Sequence, residues 1–324
     1  MHISVEIPLS RPHILVVSKP PPFFLEPLKA AFVVHERLHE TDPAEFSKMA
    51  PLIRGIAGGG ESAVGAALMA QLPALEMVSI MGVGYDGVDV GAAIERQVVV
   101  THTPNVLNDE VADLALGLIL SVARRIPQAD KYVRSGRWAS EGAMPLARKV
   151  SGARLGIVGL GRIGQAIADR ATAFGMSIAY TARSAKPGLA YPFHASALAL
   201  AAEVDFLVII TPGGAGTFHM IDAQVLKALG PRGYLINVAR GSVVDEAALL
   251  EALEKGTIAG AGLDVFEKEP HPLQALYKLD NVVLTPHMAS ATHETRQAMA
   301  DLAVANLQAH FSGKPALTPI PECN

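Results

Sequence analysis

Residues 155–164 read Leu-Gly-Ile-Val-Gly-Leu-Gly-Arg-Ile-Gly, an apolar run that enters glycines at 159, 161 and 164. This G-x-G-x-x-G spacing suits a main chain that must close on a pyrophosphate. Gly159 allows the tight turn, Gly161 lets the phosphates approach the backbone, and Gly164 lets the following helix pack close to the strand. That helix aims its first N–H groups at the anion. Ile163, Ile167 and Ala171 recur at helical spacing behind the turn, so a strand–turn–helix is expected. A carboxylate about 20 residues further on would read a ribose 2′-hydroxyl. Counting from Gly161 leads to Thr181, and residues 178–184 contain no acid. Arg183 and Ser184 stand there instead. A guanidinium fork suits a 2′-phosphate, which a carboxylate would repel. The expected dinucleotide is NADP(H) rather than NAD.

A second set of chemical residues follows later strands. Arg240 lies in Asn-Val-Ala-Arg-Gly, Glu269 in Phe-Glu-Lys-Glu-Pro and His287 in Thr-Pro-His. Ligands of doubly wound sheets bind outside the carboxyl ends of the strands. An Arg, a Glu and a His converging there offer an anion clamp, an orienting carboxylate and a proton donor. Each has a plainer role open to it. His287 could cap a sheet edge, and Arg240 could pair with Asp264 or Asp245. Glu267 competes with Glu269 for the same part. Asp264 is divided between packing support and a place near the nicotinamide. Asp245 reads as the N-cap of a helix over 246–255. No cluster has metal-ligand spacing, and His102, His219, His271 and His293 belong to no motif.

The elements that must position these groups come in two series. Strands are expected at 13–18, 52–57, 77–80 and 98–101, with helical stretches such as 61–71 between them. This alternation argues for a parallel sheet with right-handed crossovers. The glycines at 58–60 form either a ligand-facing loop or a structural turn. From 109 to 125 the pattern is helical and apolar. A second series then places strands at 154–158, 177–181, 206–210, 234–238, 260–265 and 282–285. A tail helix over 292–311 starts at Thr292 and stops at Gly313. The fold class is therefore α/β, with two Rossmann-like parallel-sheet domains (flavodoxin-like plus dinucleotide-binding) and a cleft between them. The expected domains are a discontinuous substrate domain, 1–104 with 288–324, and a cofactor domain, 105–287.

Bulk properties narrow the function classes. With 324 residues, half of them hydrophobic, the chain can bury two cores. The net charge of −4 comes from 31 acids against 27 bases, with no basic block to favour nucleic acid. Cys323 is the only cysteine, so no disulfide framework forms within the chain and a reducing cytoplasm is the expected setting. The longest apolar run, 111–123, contains Asp113 and is too short to span a bilayer. No export signal is visible.

Taken in order, five motifs resemble the D-isomer-specific 2-hydroxyacid dehydrogenases. They are Gly-Val-Gly-Tyr-Asp at 82–86, the glycine turn at 159–164, Asn-Val-Ala-Arg-Gly-Ser-Val-Val-Asp at 237–245, Gly-Leu-Asp-Val-Phe-Glu-Lys-Glu-Pro at 262–270 and Leu-Thr-Pro-His at 284–287. Arg183-Ser184 makes the chain most similar to the NADPH-dependent glyoxylate/hydroxypyruvate reductase branch. The resemblance implies reduction of a small 2-keto acid. His287 would be the general acid, its imidazole kept charged by Glu269. Arg240 would bind the substrate carboxylate and polarise the ketone, helped by the amides of Val83 and Gly84. The expected cofactor neighbourhood comprises Gly159, Gly161, Arg162, Ile163, Gly164, Arg183, Ser184, Thr211, Pro212, Val238, Ala239 and Asp264.

Rival readings remain. An NAD-linked phosphoglycerate or D-lactate dehydrogenase would need an acid near 181–183, which is absent. A dinucleotide-sensing regulatory protein of the same fold would keep similar site residues. A homodimer is also expected, because the apolar helix 111–123 lies beside the segment 131–150, which has no obvious partner in either sheet. In the similar reductases the tryptophan of this segment approaches the other chain's site, which gives Trp138 a place in the partner's substrate pocket. Alternatively, Trp138 packs within its own chain.

Overall fold

A computed structural model of the chain describes residues 11–323. The chain forms two compact units, one from the segments up to residue 106 and from 292 onward, the other from residues 107–291. Among the described residues no helix is long and apolar enough to cross a membrane.

In the first unit five parallel strands form one sheet: β1 (His13–Val16), β2 (Val33–Glu36), β3 (Ile53–Gly59), β4 (Met77–Met81) and β5 (Val99–Thr101). Their order, β2-β1-β3-β4-β5, is that of a flavodoxin-like sheet. Ile14, Leu15, Val16, Met77, Val78 and Ile80 are fully buried, because both faces of a parallel sheet are covered. Strand β2 was not expected. It is an edge strand of sequence Val-Val-His-Glu with no fully buried residue, so it carries little hydrophobic signal. The helix expected over 61–71 is only Ala66–Ala70. Residues ahead of it follow a second course, in which Val64 bridges Val88 and Gly87 packs where a Cβ would lie 2.3 Å from the Ser62 carbonyl oxygen. The helix His293–Phe311 belongs to this unit. Thr292 caps it by accepting from the Thr295 N–H at 3.2 Å, and Ser79 on β4 donates to the Ala303 carbonyl at 2.8 Å.

The second unit holds a seven-stranded parallel sheet: β6 (Arg154–Val158), β7 (Ser177–Thr181), β8 (Phe193–His194), β9 (Phe206–Ile209), β10 (Tyr234–Asn237), β11 (Gly260–Leu263) and β12 (Val282–Leu284). The order is β12-β11-β10-β9-β6-β7-β8, so the chain reverses direction across the sheet between β6 and β9. Six strands were expected, and β8 is a two-residue addition at the edge. The helix Asn108–Arg124 buries Leu116, Leu118, Ile119 and Val122. It approaches β11 closely, since a Cβ on Gly262 would lie 3.0 Å from the Leu118 Cβ. The glycines of β11 are therefore room for this helix. Each fully buried Leu or Ile contributes about 1.5–3 kcal/mol, which keeps the carboxyl ends of β10, β11 and β12 on a rigid base.

Candidate active site

The three glycines after β6 each do something different. Gly159 has φ +101°, and a Cβ there would lie 2.6 Å from the Ile210 carbonyl oxygen. Gly164 sits under the turn, where a Cβ would meet the Gly159 carbonyl oxygen at 2.2 Å. Gly161 faces open space, with nothing within 4 Å of a Cβ. Two glycines thus close the turn, and the third leaves the backbone open to a bulky anion at the start of the helix Arg162–Ala173. Arg162 is exposed and Ile163 half-buried at that start. The Gly159 N–H donates to the Thr181 carbonyl at 2.9 Å, joining the turn to the end of β7. Arg183 and Ser184 follow β7 with exposed side chains, and no acid stands beside them. A cradle with this opening and this charge fits a 2′-phosphorylated dinucleotide.

Thr211 and Pro212 lie in the loop after β9, half-buried and exposed respectively. Val238 and Ala239 are buried after β10. Their N–H groups are already used, Val238 on the Ile209 carbonyl at 3.2 Å and Ala239 on Asn237 Oδ1 at 3.1 Å.

Arg240 leaves the sheet two residues later. Asn237 is buried and staples this turn, its Nδ2 donating to the Arg240 carbonyl at 3.0 Å. Arg240 Nη1 folds back on the Ala239 carbonyl at 2.7 Å. The next residue must be glycine, because a Cβ on Gly241 would lie 1.8 Å from the Phe266 carbonyl carbon. That approach brings the Arg240 turn against the 266–269 loop, which carries Glu269. One carboxylate oxygen of Glu269 accepts from the Phe266 N–H at 2.9 Å. The other accepts from His287 Nδ1 at 2.7 Å. Glu269 is mostly buried, with a side chain 18% exposed, and that of His287 is 35% exposed. An imidazole whose Nδ1–H is held by a carboxylate presents Nε2 for proton transfer, and the carboxylate favours the charged ring.

His287 has φ +49°, a left-handed conformation that a residue with a Cβ adopts only under constraint. Asp264 supplies the constraint. It is fully buried, and its main-chain carbonyl accepts the His287 N–H at 2.8 Å. Its carboxylate accepts from Thr285 Oγ1 at 2.6 Å, the Met288 N–H at 2.9 Å and the Ala289 N–H at 2.9 Å. Asp264 therefore braces the turn that carries His287.

Glu267 faces elsewhere. Its Oε1 accepts from His219 Nε2 at 2.6 Å and the Glu246 N–H at 3.3 Å, while its own N–H donates to Glu246 Oε1 at 2.8 Å. Burial, followed by the charges of Glu267 and Glu269, raises Glu246 above the usual carboxylate range. His219 and Glu246 were not singled out from sequence. Glu246 looks like an ordinary first-turn acid after the cap Asp245, which accepts from the Ala248 N–H at 3.0 Å.

Val83 and Gly84 lie in the first unit, after β4. His102 Nδ1 donates to the Val83 carbonyl at 2.9 Å. Gly60 and Gly82 pack backbone to backbone there, a Cβ on Gly82 falling 2.9 Å from the Gly60 Cα. Gly60 is thus a packing glycine. Trp138 lies on the short helix Arg137–Glu141 and is 63% exposed, so its own chain leaves most of it uncovered.

Residues 116–289 match the family model described as D-isomer specific 2-hydroxyacid dehydrogenase, NAD binding domain. The chain belongs to this family. It is 51% identical over 283 residues to hydroxyphenylpyruvate reductase of Plectranthus scutellarioides, covering 86% of this chain and 90% of that protein. It is 45% identical over 311 residues to 2-ketogluconate reductase of Gluconobacter oxydans, covering 96% and 99%. A crystal structure of NADPH-dependent glyoxylate/hydroxypyruvate reductase from Sinorhizobium meliloti, in complex with NADP and malonate, superposes with a TM-score of 0.91 at 50% identity, covering 97% of this chain and 98% of that one. The two parallel sheets are those of the 2-hydroxyacid dehydrogenase fold.

Proposed function

We propose that this 2-hydroxyacid dehydrogenase reduces a small 2-keto acid, such as glyoxylate or hydroxypyruvate, to the D-2-hydroxy acid with NADPH. The observation that carries the reading is the 2.7 Å bond from His287 to Glu269, in loops that also bring up Arg240. Reduction of a ketone needs a hydride at carbon and a proton at oxygen. NADPH bound on the glycine turn supplies the hydride. His287 gives its Nε2 proton to the carbonyl oxygen. Glu269 fixes the ring and favours its charged form before transfer. Arg240 binds the substrate carboxylate and polarises the carbonyl. The amides of Val83 and Gly84 are assigned to the same carboxylate. Arg183 and Ser184 take the 2′-phosphate, and residues 105–287 form the cofactor domain.

Purified protein should oxidise NADPH when given glyoxylate or hydroxypyruvate, with a clear preference over NADH. Arg183→Ala should weaken NADPH about ten- to hundredfold and spare NADH, since a charge-assisted contact is worth about 1.5–3 kcal/mol. His287→Ala should lower kcat about 10²–10⁴-fold. Absence of turnover with any 2-keto acid and either cofactor overturns the reading.

The same proposal includes a cytoplasmic homodimer. The support for the dimer is an apolar face on the helix Ile126–Arg134, where Ile126 and Val133, two turns apart, are 50% and 55% exposed, with Trp138 on the next helix 63% exposed. Monomers rarely leave such a face uncovered. Light scattering should give twice the 34.0 kDa chain mass. Trp138→Ala should alter the ratio of kcat/KM between glyoxylate and bulkier keto acids, consistent with a tryptophan that closes the partner's pocket.

A further inference from the structure

The loop that carries Arg183 and Ser184 is anchored in an unusual way. Strands β7 and β8 are parallel neighbours, and such neighbours are usually joined by a helix. Here residues 182–192 make the connection without one. A turn at Pro187-Gly188 closes the loop, Gly188 having φ +79°, the value that the third position of a type II turn requires. Lys186 stands at the first position of that turn, where its N–H is not part of the turn's own bond. This N–H donates to the Tyr180 hydroxyl at 2.7 Å.

Tyr180 is positioned to hold the whole connection. Its side chain is buried to 1% exposure in β7. Its backbone N–H donates to the Pro192 carbonyl at 2.9 Å, and its ring stands 5.5 Å from that of Phe193 on β8. The hydroxyl reaches the middle of the same loop. At the other end, the Thr181 carbonyl accepts from Gly159 of the glycine turn at 2.9 Å. Only residues 182–185 lie between these two fixed points, and they include Arg183 and Ser184. Among the described residues, neither of these side chains makes a hydrogen bond, and both are exposed. The loop is thus shaped from below and leaves its two polar side chains available.

We infer that the Tyr180 hydroxyl is a positioning group for cofactor selectivity: by holding the Lys186 N–H it sets the 182–185 segment so that Arg183 meets the 2′-phosphate of NADPH. This rests on the NADPH reading above and extends it to a buried residue that touches no cofactor. Preorganising a binding loop improves affinity only for the ligand that uses it. NADH has no 2′-phosphate, so its binding does not draw on the hydroxyl.

Tyr180→Phe keeps the ring and removes the bond. KM for NADPH should rise about three- to tenfold, the range for one neutral hydrogen bond. KM for NADH and kcat at saturating NADPH should each move by less than about twofold. The decisive measurement is a double-mutant cycle with Arg183→Ala. If the hydroxyl acts through Arg183, Tyr180→Phe has no further effect on NADPH once Arg183 is removed. An equally large effect in that background overturns the inference, as does an equal rise for both cofactors or no rise for either. Lys186→Pro removes the same bond from the loop side, with Lys186→Ala as the control that retains the N–H. It should reproduce the selectivity loss and keeps the test decisive if Tyr180→Phe folds poorly. A parent enzyme indifferent to the 2′-phosphate overturns the NADPH reading and this inference together. A parent that prefers NADPH, loses that preference in Arg183→Ala and keeps it in Tyr180→Phe overturns the inference alone.

Discussion

Asp264→Asn separates a brace from a cofactor contact. In the native turn one carboxylate oxygen accepts from Thr285 Oγ1 and the Met288 N–H, and the other accepts from the Ala289 N–H. An asparagine has one acceptor oxygen and one NH₂. Whichever way it is flipped, its NH₂ faces a backbone N–H donor, at Ala289 or at Met288. The residue is fully buried, so the orphaned donor has no water to turn to. One unsatisfied buried donor costs about 1–3 kcal/mol, and the remaining bonds lose roughly 1 kcal/mol each when the acceptor becomes neutral. The sum is about 3–5 kcal/mol. For a domain of this size each kcal/mol lowers Tm by about 2–4 °C, so a fall of roughly 6–20 °C is expected by calorimetry. The left-handed backbone at His287, φ +49°, depends on the same turn, and its relaxation would displace the imidazole. A misplacement near 1 Å costs on the order of 10²-fold in rate. Steady-state assays should therefore show a large fall in kcat with KM for NADPH within about twofold. A variant of unchanged Tm whose loss lies entirely in KM for NADPH would refute the reasoning and put Asp264 against the nicotinamide.

Two further predictions rest on single contacts. Glu269→Gln removes the negative charge 2.7 Å from His287 Nδ1, so the charged imidazole loses its support and the limb on which activity falls with rising pH should move to lower pH; a pH–rate profile superimposable on the parent would contradict the pairing. Glu246 is raised above the usual carboxylate range by burial and its acidic neighbours, so the folded chain binds this proton more tightly than the unfolded chain does. Stability should then fall as pH rises from the ordinary carboxylate range through the raised value. Glu246→Gln, which keeps an acceptor for the Glu267 N–H, should be more stable than the parent near neutral pH, with the gain disappearing towards pH 4.5 in urea titrations.

Some of this site can be read from sequence because it depends on residue type alone. A Cβ cannot exist at Gly159, Gly164 or Gly241 without meeting backbone, so those positions announce themselves as glycine. Arg240, Glu269 and His287 are legible because charged residues just beyond apolar strands are rarely idle. Other features depend on where unrelated segments meet. Strand β8 has two residues, and the bond from Lys186 to Tyr180 spans a loop whose shape no local pattern encodes. The helix 61–71 fails for the same reason, because Val64 is taken up by a bridge to Val88 that periodicity cannot foresee.

The acids show the division most clearly. Glu246, Asp264, Glu267 and Glu269 are of one chemical kind and lie around one pair of loops, and the sequence, read as favouring Glu269, leaves Glu267 as its competitor for His287. Main-chain donors sort them. Two amides of the 285–289 turn and Thr285 occupy Asp264. Glu246 and Glu267 exchange hydrogen bonds with each other's backbone, and Glu267 is further held by His219. Glu269 gives one oxygen to the Phe266 N–H and has the second directed at His287. That single amide also fixes the direction of the second oxygen, so the carboxylate that orients the acid is itself oriented by the backbone. Gly241 packs on the Phe266 carbonyl, in the peptide that follows that amide, and Gly241 is the residue next to Arg240. The anion clamp and the proton donor are therefore registered to one another through a glycine contact. This is why the Arg-Gly pair, rather than the arginine alone, is the part of the motif that carries the geometry.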